Sequence, residues 1–290
     1  MARELSPAKT AERSIIKKYR KELWNPFTAA ITRYELLSPG DHVAVCISGG
    51  KDSMLMAKLF QQLRKISDYP FDVTYLVMDP GYNAENRRKI EENAARLEVP
   101  LTIFETTVFD TANSVDGNPC YLCARMRRGY LYHKAQELGC NKIALGHHLN
   151  DAIETVLMSM FYSAKAETMI PKVRSLNFPG MELIRPMYGI REDDIIAWTR
   201  YNGLEFIRCA CRFTEETEML AEEGVPDRES LSKRREVKAL IRTLSETNPD
   251  IEKNIWNALH NVQIDTFPGF TTSGERKSFL SRYNKAKEEA

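Results

Sequence analysis

The hexapeptide Ser48-Gly49-Gly50-Lys51-Asp52-Ser53 combines glycine, lysine, carboxylate and hydroxyl side chains in one short segment, which we call the 48–53 turn. It follows an apolar run, Val43 to Ile47, that predicts a buried strand, and it precedes apolar residues that recur at helical spacing. A tight turn of this kind directs backbone N–H groups and the positive end of the helix dipole towards one point, which suits an anion. We therefore predict that the turn binds the phosphates of a nucleotide. The alternative is an ordinary Gly-Gly turn before a capped helix.

Two familiar nucleotide-binding motifs do not describe the 48–53 turn. A Walker A loop has four residues between its first glycine and the Gly-Lys pair, whereas Gly49 here directly precedes Gly50-Lys51. The dinucleotide pattern G-x-G-x-x-G is also absent from this segment. The turn therefore indicates a different class of phosphate-binding protein.

Cysteines form a second group of residues with chemical potential. The chain has six, at positions 46, 120, 123, 140, 209 and 211. Cys120-x-x-Cys123 begins a predicted helix that is rich in arginine, and a helix N-terminus with nearby cations favours the thiolate. Together with the pair Cys209 and Cys211, this motif is typical of a redox dithiol, a zinc site or an iron–sulfur site. Cys46 and Cys140 are interpreted as small buried hydrophobic residues.

The elements that must position these residues alternate between strand and helix. Predicted strands cover residues 43–47, 71–78, 101–106, 142–145, 183–186 and 206–209, and predicted helices cover 84–97, 121–138, 151–162 and 193–201. Such alternation indicates the α/β class, with a parallel sheet wrapped by helices on both faces. Ligands of these sheets bind beyond the carboxyl ends of the strands. The 48–53 turn, the MDPGY segment (78–82) and the GHH segment (146–148) all follow strands, so we expect them to form one pocket.

Composition and charge place limits on the class of protein. The 290 residues have 41 basic and 40 acidic side chains, a net charge of +1 that argues neither for nor against a nucleic-acid partner. Local basic clusters, Lys17 to Lys21 and Lys233 to Arg235, are candidates for polyanion contacts. No apolar run approaches the length of about 18 residues that a membrane span needs. The N-terminal segment lacks the apolar core of a signal peptide, so a cytoplasmic location without membrane attachment is expected.

We predict three regions along the chain. Residues 1–40 form a helical leader, residues 41–213 form the α/β domain that carries the cysteines, and residues 214–290 form a helical appendage. The change of composition after about residue 214 marks the second boundary.

Three segments together resemble one enzyme family. They are SGGKDS, PCYLCARMRRGYLYHKAQELGCNKIALGHHLNDAIETVLMSMFYSAKAETMIPK and IRPMYGIREDDI. The combination is similar to the tRNA 2-thiocytidine synthetases (TtcA), which belong to the PP-loop ATP pyrophosphatase superfamily. The resemblance implies a PP-loop α/β domain that uses ATP, Mg²⁺ and a [4Fe-4S] cluster to replace the 2-oxygen of a tRNA anticodon-loop cytidine with sulfur. It also implies tRNA as a partner and a sulfur donor such as a cysteine desulfurase or free sulfide, and it is compatible with a homodimer.

The resemblance also implies roles for individual residues. The implied ATP-binding residues are Ser48, Gly49, Gly50, Lys51, Asp52, Ser53, Met78, Gly146 and Asp151, and the implied catalytic residues are Asp52, Cys120, Cys123 and Cys209. Asp52 or Asp151 is expected to assist Mg²⁺. Cys120, Cys123 and Cys209 correspond to the family's three cluster ligands. The family has a second C-x-x-C followed by Gly-Ser where this chain has Cys209-Ala210-Cys211 followed by Arg212-Phe213, so Cys211 is the alternative third ligand.

Other functions are compatible with the same residues. Two cysteine pairs satisfy structural zinc by ligand number. Another PP-loop tRNA-modifying enzyme, such as a lysidine synthetase, an amidating ligase or a thiolase of a different substrate, would use the same turn. A non-catalytic RNA-binding or redox-sensing protein would bind ATP or a cluster without forming AMP and pyrophosphate. The visible spectrum and metal content of anaerobically purified protein distinguish several of these hypotheses.

Overall fold

A six-stranded sheet forms the centre of the protein, as seen in a computed structural model that describes residues 5–108, 119–207, 229–281 and 283–284. Its strands are β1 His42–Ile47, β2 Asp72–Asp79, β3 Leu101–Glu105, β4 Lys142–Ala144, β5 Lys172–Arg174 and β6 Glu182–Ile184. The order across the sheet is β3-β2-β1-β4-β6-β5. All neighbours are parallel except the β5–β6 pair, which is antiparallel. The predicted α/β class is confirmed, with one antiparallel edge strand in addition.

Helices connect and cover the strands. They are α1 Pro7–Ile16, α2 Asn25–Arg33, α3 Lys51–Ile66, α4 Ala84–Arg96, α5 Pro119–Glu137, α6 Leu149–Ser163, α7 Glu192–Tyr201, α8 Glu229–Thr247 and α9 Ile251–Leu259. Their limits follow local signals: the Asn83 side chain, for example, caps α4 by accepting a hydrogen bond from the Asn86 N–H at 2.7 Å. None of the helices in the described ranges is both long and apolar enough to cross a membrane.

Residues of β1 alternate between two hydrophobic clusters, one on each face of the sheet. Val43, Val45 and Ile47 belong to the larger cluster, whereas Ala44 and Cys46 belong to the smaller one. A strand buried on both faces is apolar at every position, which explains the unbroken run that predicted it. The interpretation of Cys46 as a buried hydrophobic residue is confirmed, and burial raises the pKa of its thiol to about 12. Cys140 is buried in the same cluster.

The N-terminal helices are part of the main core. Ile15 of α1 and Phe27 of α2 are fully buried in the larger cluster, where the Phe27 ring packs edge-on against the Phe60 ring of α3 with centroids 5.6 Å apart. The Lys58 ammonium of α3 is buried and donates hydrogen bonds to Glu12 Oε1 at 2.9 Å and to the Leu97 carbonyl at 2.8 Å. The leader therefore stabilises α3, the helix that begins at the 48–53 turn.

Two segments differ from the sequence prediction. Residues 206–209 were predicted to form a final strand, but Phe206 and Ile207 are not in a strand, and residues 208–209 lie outside the described part of the chain. Phe206 and Ile207 instead pack as partly buried side chains against the larger cluster, so their apolar character serves packing rather than sheet pairing. The C-terminal segment contains, besides helices, a hairpin of β7 Gly269–Thr272 and β8 Glu275–Ser278 that was not predicted.

The chain divides into two compact units, residues 1–238 and 239–290, and this division falls within α8. The boundary predicted after residue 213 lies outside the described residues and stays a prediction.

Candidate nucleotide-binding site

The sheet has a topological switch point at β1. The chain continues from β1 to β2 and β3 on one side, while β4 lies on the other side of β1. At such a point the loops after the two strands diverge and leave a crevice at the carboxyl edge, where α/β proteins bind ligands. The 48–53 turn follows β1, and the GHH segment follows β4. The fold therefore places both predicted segments at one crevice.

The 48–53 turn is stabilised by its own serines. The Ser48 N–H donates to Ser53 Oγ at 3.1 Å, and the Ser53 hydroxyl donates to the Gly50 carbonyl at 3.0 Å. Gly49 has φ of +84°, and a Cβ at this position would lie 2.5 Å from the Ile90 side chain of α4. Helix α3 begins at Lys51 without a side-chain cap at Gly50. An uncapped helix N-terminus behind a glycine turn is suited to a phosphate group, as the sequence predicts.

The GHH segment contacts the turn directly. A Cβ on Gly146 would lie 3.3 Å from the Asp52 carbonyl carbon and 3.3 Å from the Ser53 nitrogen, so only glycine fits here without displacing the backbone of the turn. The next residue, His147, has a buried Nδ1 with no hydrogen-bond partner among the described residues. Burial lowers the pKa of His147 to about 4, so the imidazole is neutral at pH 7.

The MDPGY segment forms a tight turn after β2. Met78 is buried in the core, with 3% of its surface exposed. Asp79, which was not singled out in the sequence, accepts hydrogen bonds from the Gly81 and Tyr82 N–H groups at 2.9 and 2.8 Å. The Arg87 guanidinium of α4 lies 2.5 Å from the other Asp79 oxygen. Asp79 thus connects this turn to α4. Met78, the residue before Asp79 in β2, has its side chain in the core.

A network of ion pairs connects Lys51 with helices α7 and α8. The Lys51 ammonium lies 3.1 Å from Asp52 Oδ1 and 3.2 Å from Glu192 Oε1 at the start of α7. The second Glu192 oxygen lies 2.5 Å from the Lys238 ammonium of α8. Burial alone would raise the pKa of Glu192, but the Lys238 hydrogen bond and both lysine charges outweigh it and lower the pKa to about 2. Burial would lower the pKa of Lys51, but Asp52 and Glu192 reverse this effect and raise it.

Asp151 is the centre of a second charged group. One of its oxygens accepts a hydrogen bond from the His148 N–H at 2.9 Å, and the other lies 3.2 Å from Arg234 Nη1 of α8. Arg234 Nη1 also lies 3.8 Å from Glu154 Oε2, one helical turn after Asp151 in α6. Burial raises the pKa of Glu154 to about 7, against the opposing charge of Arg234. Asn150 of α6 accepts a hydrogen bond from the Glu192 N–H at 2.9 Å, which joins the two charged groups.

Carboxylate oxygens lie at the crevice, but in the described part of the chain they do not form a complete metal site. Among the described residues, no three His, Cys, Asp or Glu side chains converge in a metal-binding arrangement. Asp52 Oδ1 is buried and has no aligned hydrogen bond from the described residues, although the Lys51 ammonium is 3.1 Å away. Such a site suits Mg²⁺, which binds through one or two carboxylates together with phosphate oxygens and water.

The cysteine motif is only partly described. Cys120 and Cys123 lie at the start of α5, three residues apart, so their backbone positions are on the same side of the helix. Helix α5 ends near the amino edge of the sheet, because the Asn141 N–H that follows it bonds to the carbonyl of His42 at the start of β1. Helix α5 is about 28 Å long, so its N-terminus lies that far from the amino edge, in the direction of the carboxyl edge. The side chains of both cysteines, and Cys209 and Cys211 entirely, lie outside the described part.

Besides Asp79, sequence reasoning did not assign Glu154, Glu192, Arg234 or Lys238 to the nucleotide site. In the sequence, Arg234 belongs to the cluster Lys233 to Arg235, a candidate for polyanion contacts, and that assignment stays a prediction. Its guanidinium lies 3.2 Å from Asp151, and the ammonium of the adjacent Lys233 lies 5.1 Å from the centre of the Tyr162 ring. A sequence signal exists for Glu192 alone, because it begins a helix directly after a strand and turn at the same edge.

The switch-point crevice, the glycine turn and the uncapped helix define a PP-loop domain, and residues 15–211 match the family described as the PP-loop domain. A solved structure, the U34-tRNA thiolase NcsA from Methanococcus maripaludis with its [4Fe-4S] cluster, has the same fold. It superposes with a TM-score of 0.65 at 21% identity, over 89% of this chain and 86% of that one.

Relatives of known name define the family more narrowly. The tRNA-cytidine(32) 2-sulfurtransferase of Citrifermentans bemidjiense is 33% identical over 237 residues, which cover 80% of this chain and 87% of the relative. That of Coxiella burnetii strain CbuG_Q212 is 34% identical over 251 residues, which cover 85% and 92%. The chain belongs to the family of tRNA-cytidine(32) 2-sulfurtransferases. The predicted family resemblance is confirmed.

Proposed function

We propose that this protein is an ATP-dependent tRNA sulfurtransferase that converts a cytidine of the anticodon loop, position 32 in its named relatives, to 2-thiocytidine. The observation that supports it most is the 48–53 turn at the switch point of a chain that belongs to this family. In the first step, the cytidine 2-oxygen attacks the α-phosphorus of ATP and pyrophosphate leaves. In the second, a sulfur nucleophile attacks C2, and the oxygen leaves as part of AMP.

The chain's own residues have defined tasks in the first step. The N–H groups of the 48–53 turn and the Lys51 ammonium hold the phosphates and stabilise the negative charge that develops as pyrophosphate departs. Gly49 allows the turn to pack against Ile90 of α4, and Gly146 allows the GHH segment to approach the backbone of the turn, so both contacts hold the phosphate-binding N–H groups in position. The buried Met78 supports the neighbouring strand end. Asp52 and Asp151 are the carboxylates for Mg²⁺, which supplies charge neutralisation at the phosphates when it is bound.

We assign the sulfur-handling part of the site to Cys120, Cys123 and Cys209, with Cys211 as the alternative third residue. The first two positions lie on one side of a helix whose N-terminus points to the carboxyl edge of the sheet, and thiolates are the ligands that iron–sulfur clusters require. These three thiolates would hold a [4Fe-4S] cluster, which would supply an iron site for binding the sulfur that is transferred. A cysteine desulfurase or free sulfide is the proposed donor, and a cytoplasmic homodimer is the proposed form of the protein.

Metal content tests this assignment. Single Cys→Ala variants at 120, 123, 209 and 211 are purified and reconstituted without oxygen, and their iron and zinc are measured. Cys140→Ala is the matched control, because Cys140 is buried in the core. Iron should be lost from the first three variants and retained at 211 and 140. Loss of iron from Cys211→Ala and its retention by Cys209→Ala would make Cys211 the third ligand in place of Cys209. An active protein with stoichiometric zinc and no iron would overturn the proposed chemistry.

A further inference from the structure

Helix α8 contributes two cations to the crevice. Arg234 and Lys238 are four residues apart and therefore lie on the same side of the helix. Lys238 contacts Glu192, and Arg234 contacts Asp151 and Glu154. Both residues lie beyond residues 15–211, the part of the chain that matches the PP-loop family. The site therefore includes charges from outside that domain.

These cations are paired with carboxylates but remain accessible. The side chains of Arg234 and Lys238 are 42% and 35% exposed, whereas Asp151 and Glu192 are each 16% exposed. Glu192 is shared, because its two oxygens contact the ammonium groups of Lys51 and Lys238. Asp52 is a second partner of Lys51, whereas Glu192 is the carboxylate that contacts Lys238.

A triphosphate changes the charge balance of this crevice. Three cations, Lys51, Arg234 and Lys238, face the carboxyl groups of Asp52, Asp151, Glu154 and Glu192, so these groups carry no excess of positive charge. ATP at the 48–53 turn brings several negative charges next to these carboxylates. Like charges at such distances repel strongly in a partly buried site, unless cations move between them.

We propose that Arg234 and Lys238 bind the polyphosphate of ATP, exchanging their carboxylate partners for phosphate oxygens when the nucleotide enters. This rests on the proposed function, because it takes the 48–53 turn as the ATP site. Arginine suits this exchange of partners, because its planar guanidinium forms paired hydrogen bonds with both carboxylate and phosphate groups. When Lys238 leaves Glu192, the ion pair between Glu192 and Lys51 remains.

The alternative is that both ion pairs only attach α8 to the domain. The two accounts differ in the effect of Glu192→Gln, which breaks the same ion pair as Lys238→Met but keeps the positive charges of Lys51 and Lys238. If the pair is structural, the two substitutions act alike. If Lys238 binds phosphate, they act in opposite directions, because Glu192 competes with ATP for the lysines.

Calorimetric titration with ATP, with MgATP and with adenosine distinguishes these accounts. Arg234→Met and Lys238→Met should each weaken ATP binding about tenfold or more, as expected for loss of a charge-assisted hydrogen bond, with adenosine binding unchanged. Glu192→Gln should bind ATP at least as tightly as the wild type. Arg242→Met is the matched control, one turn further along α8 with an exposed side chain, and should behave as wild type. Arg234→Lys keeps the charge and should be intermediate.

Thermal unfolding of each variant verifies folding. Equal ATP affinity of Lys238→Met, Arg234→Met and Arg242→Met would overturn the inference. Equal losses of ATP affinity in Glu192→Gln and Lys238→Met would also overturn it. In either case wild-type ATP binding would leave the proposed function intact. Failure of the wild type to bind ATP would overturn both.

Discussion

Lys51 is the side chain on which phosphate binding depends most. It is part of the turn itself, and its pKa is raised by Asp52 and Glu192 against the effect of burial, so it is charged at neutral pH. Substitution of Lys51 by Met should weaken ATP binding at least about tenfold without loss of fold, because the side chain contacts other polar groups of the crevice and not the core. Calorimetry measures the affinity. Lys253→Met, on an exposed part of α9, is the control, and equal affinities of the two variants would contradict the phosphate-binding assignment.

Glu154 should make the stability of the protein depend on pH. Its pKa is raised from 4.5 to about 7 by burial, so the folded state retains a proton that the unfolded state releases. The stabilisation is fully present below pH 4.5 and is lost as the pH rises to about 7. The total effect is at most about 3 kcal/mol.

Glu154→Gln removes this titration. The difference in unfolding free energy between variant and wild type should therefore grow in favour of the variant from pH 4.5 to 7 and stay constant above it. Urea denaturation of the nucleotide-free protein over this range gives the comparison. A difference that does not change with pH would show that Glu154 ionises normally.

At the scale of residues, the sequence predicted site residues that are consecutive in the chain and missed those that are far apart in it. The 48–53 turn is recognisable because strand, glycines, lysine and helix are consecutive. Glu192 and Lys238 were not recognised, because the contacts of Lys51 with Glu192 and of Glu192 with Lys238 join residues 141 and 46 positions apart. Nothing in a charged segment of a helix indicates which of its cations faces a site.

At the scale of elements, the contact between the β4–α6 connection and the 48–53 turn sets the shape of the crevice. Gly146→Ala would place a methyl group 3.3 Å from two backbone atoms of the turn, closer than ordinary packing allows. We expect several-fold weaker ATP binding, because the turn must shift by a few tenths of an ångström.

Gly129→Ala provides the matched control for this change. Gly129 is within α5, and a Cβ there meets no atom within 4 Å, so alanine should leave ATP binding unchanged and stabilise the helix slightly. ATP titration of both variants tests the prediction. If Gly146→Ala binds ATP as Gly129→Ala does, the close approach has no part in nucleotide binding.

Elements with a strong periodic signal were predicted well, and weak ones were not. The helix predicted at residues 84–97 is α4, Ala84–Arg96, because its cap and amphipathic pattern are both local. Strand β5 has only the residues Lys-Val-Arg and is half exposed at the sheet edge, so it has no apolar run. Phe206 and Ile207 do form part of an apolar run, but they pack beside the core without pairing. Apolar character predicts burial more reliably than it predicts strand.

At the scale of the whole molecule, tRNA binding should be strongly dependent on salt. The net charge is only +1, so attraction to RNA must come from local clusters such as Lys17 to Lys21, where the lysines are exposed. Each phosphate contact releases counterions and steepens the salt dependence. Replacing Lys17 and Lys21 by Ala should weaken binding and reduce the slope of log affinity against log salt, as measured by filter binding. An unchanged slope would exclude this cluster from the interface.

The most direct test of the whole account is nucleoside mass spectrometry of tRNA after an in vitro reaction. Anaerobically reconstituted protein is incubated with unmodified tRNA, ATP, Mg²⁺ and sulfide, and Lys51→Met serves as the inactive control. The account predicts 2-thiocytidine, formed only with ATP and accompanied by AMP and pyrophosphate, and little or none with the variant. Thiolated uridine in its place, or ATP turnover that yields no thiolated nucleoside, would contradict the proposed function.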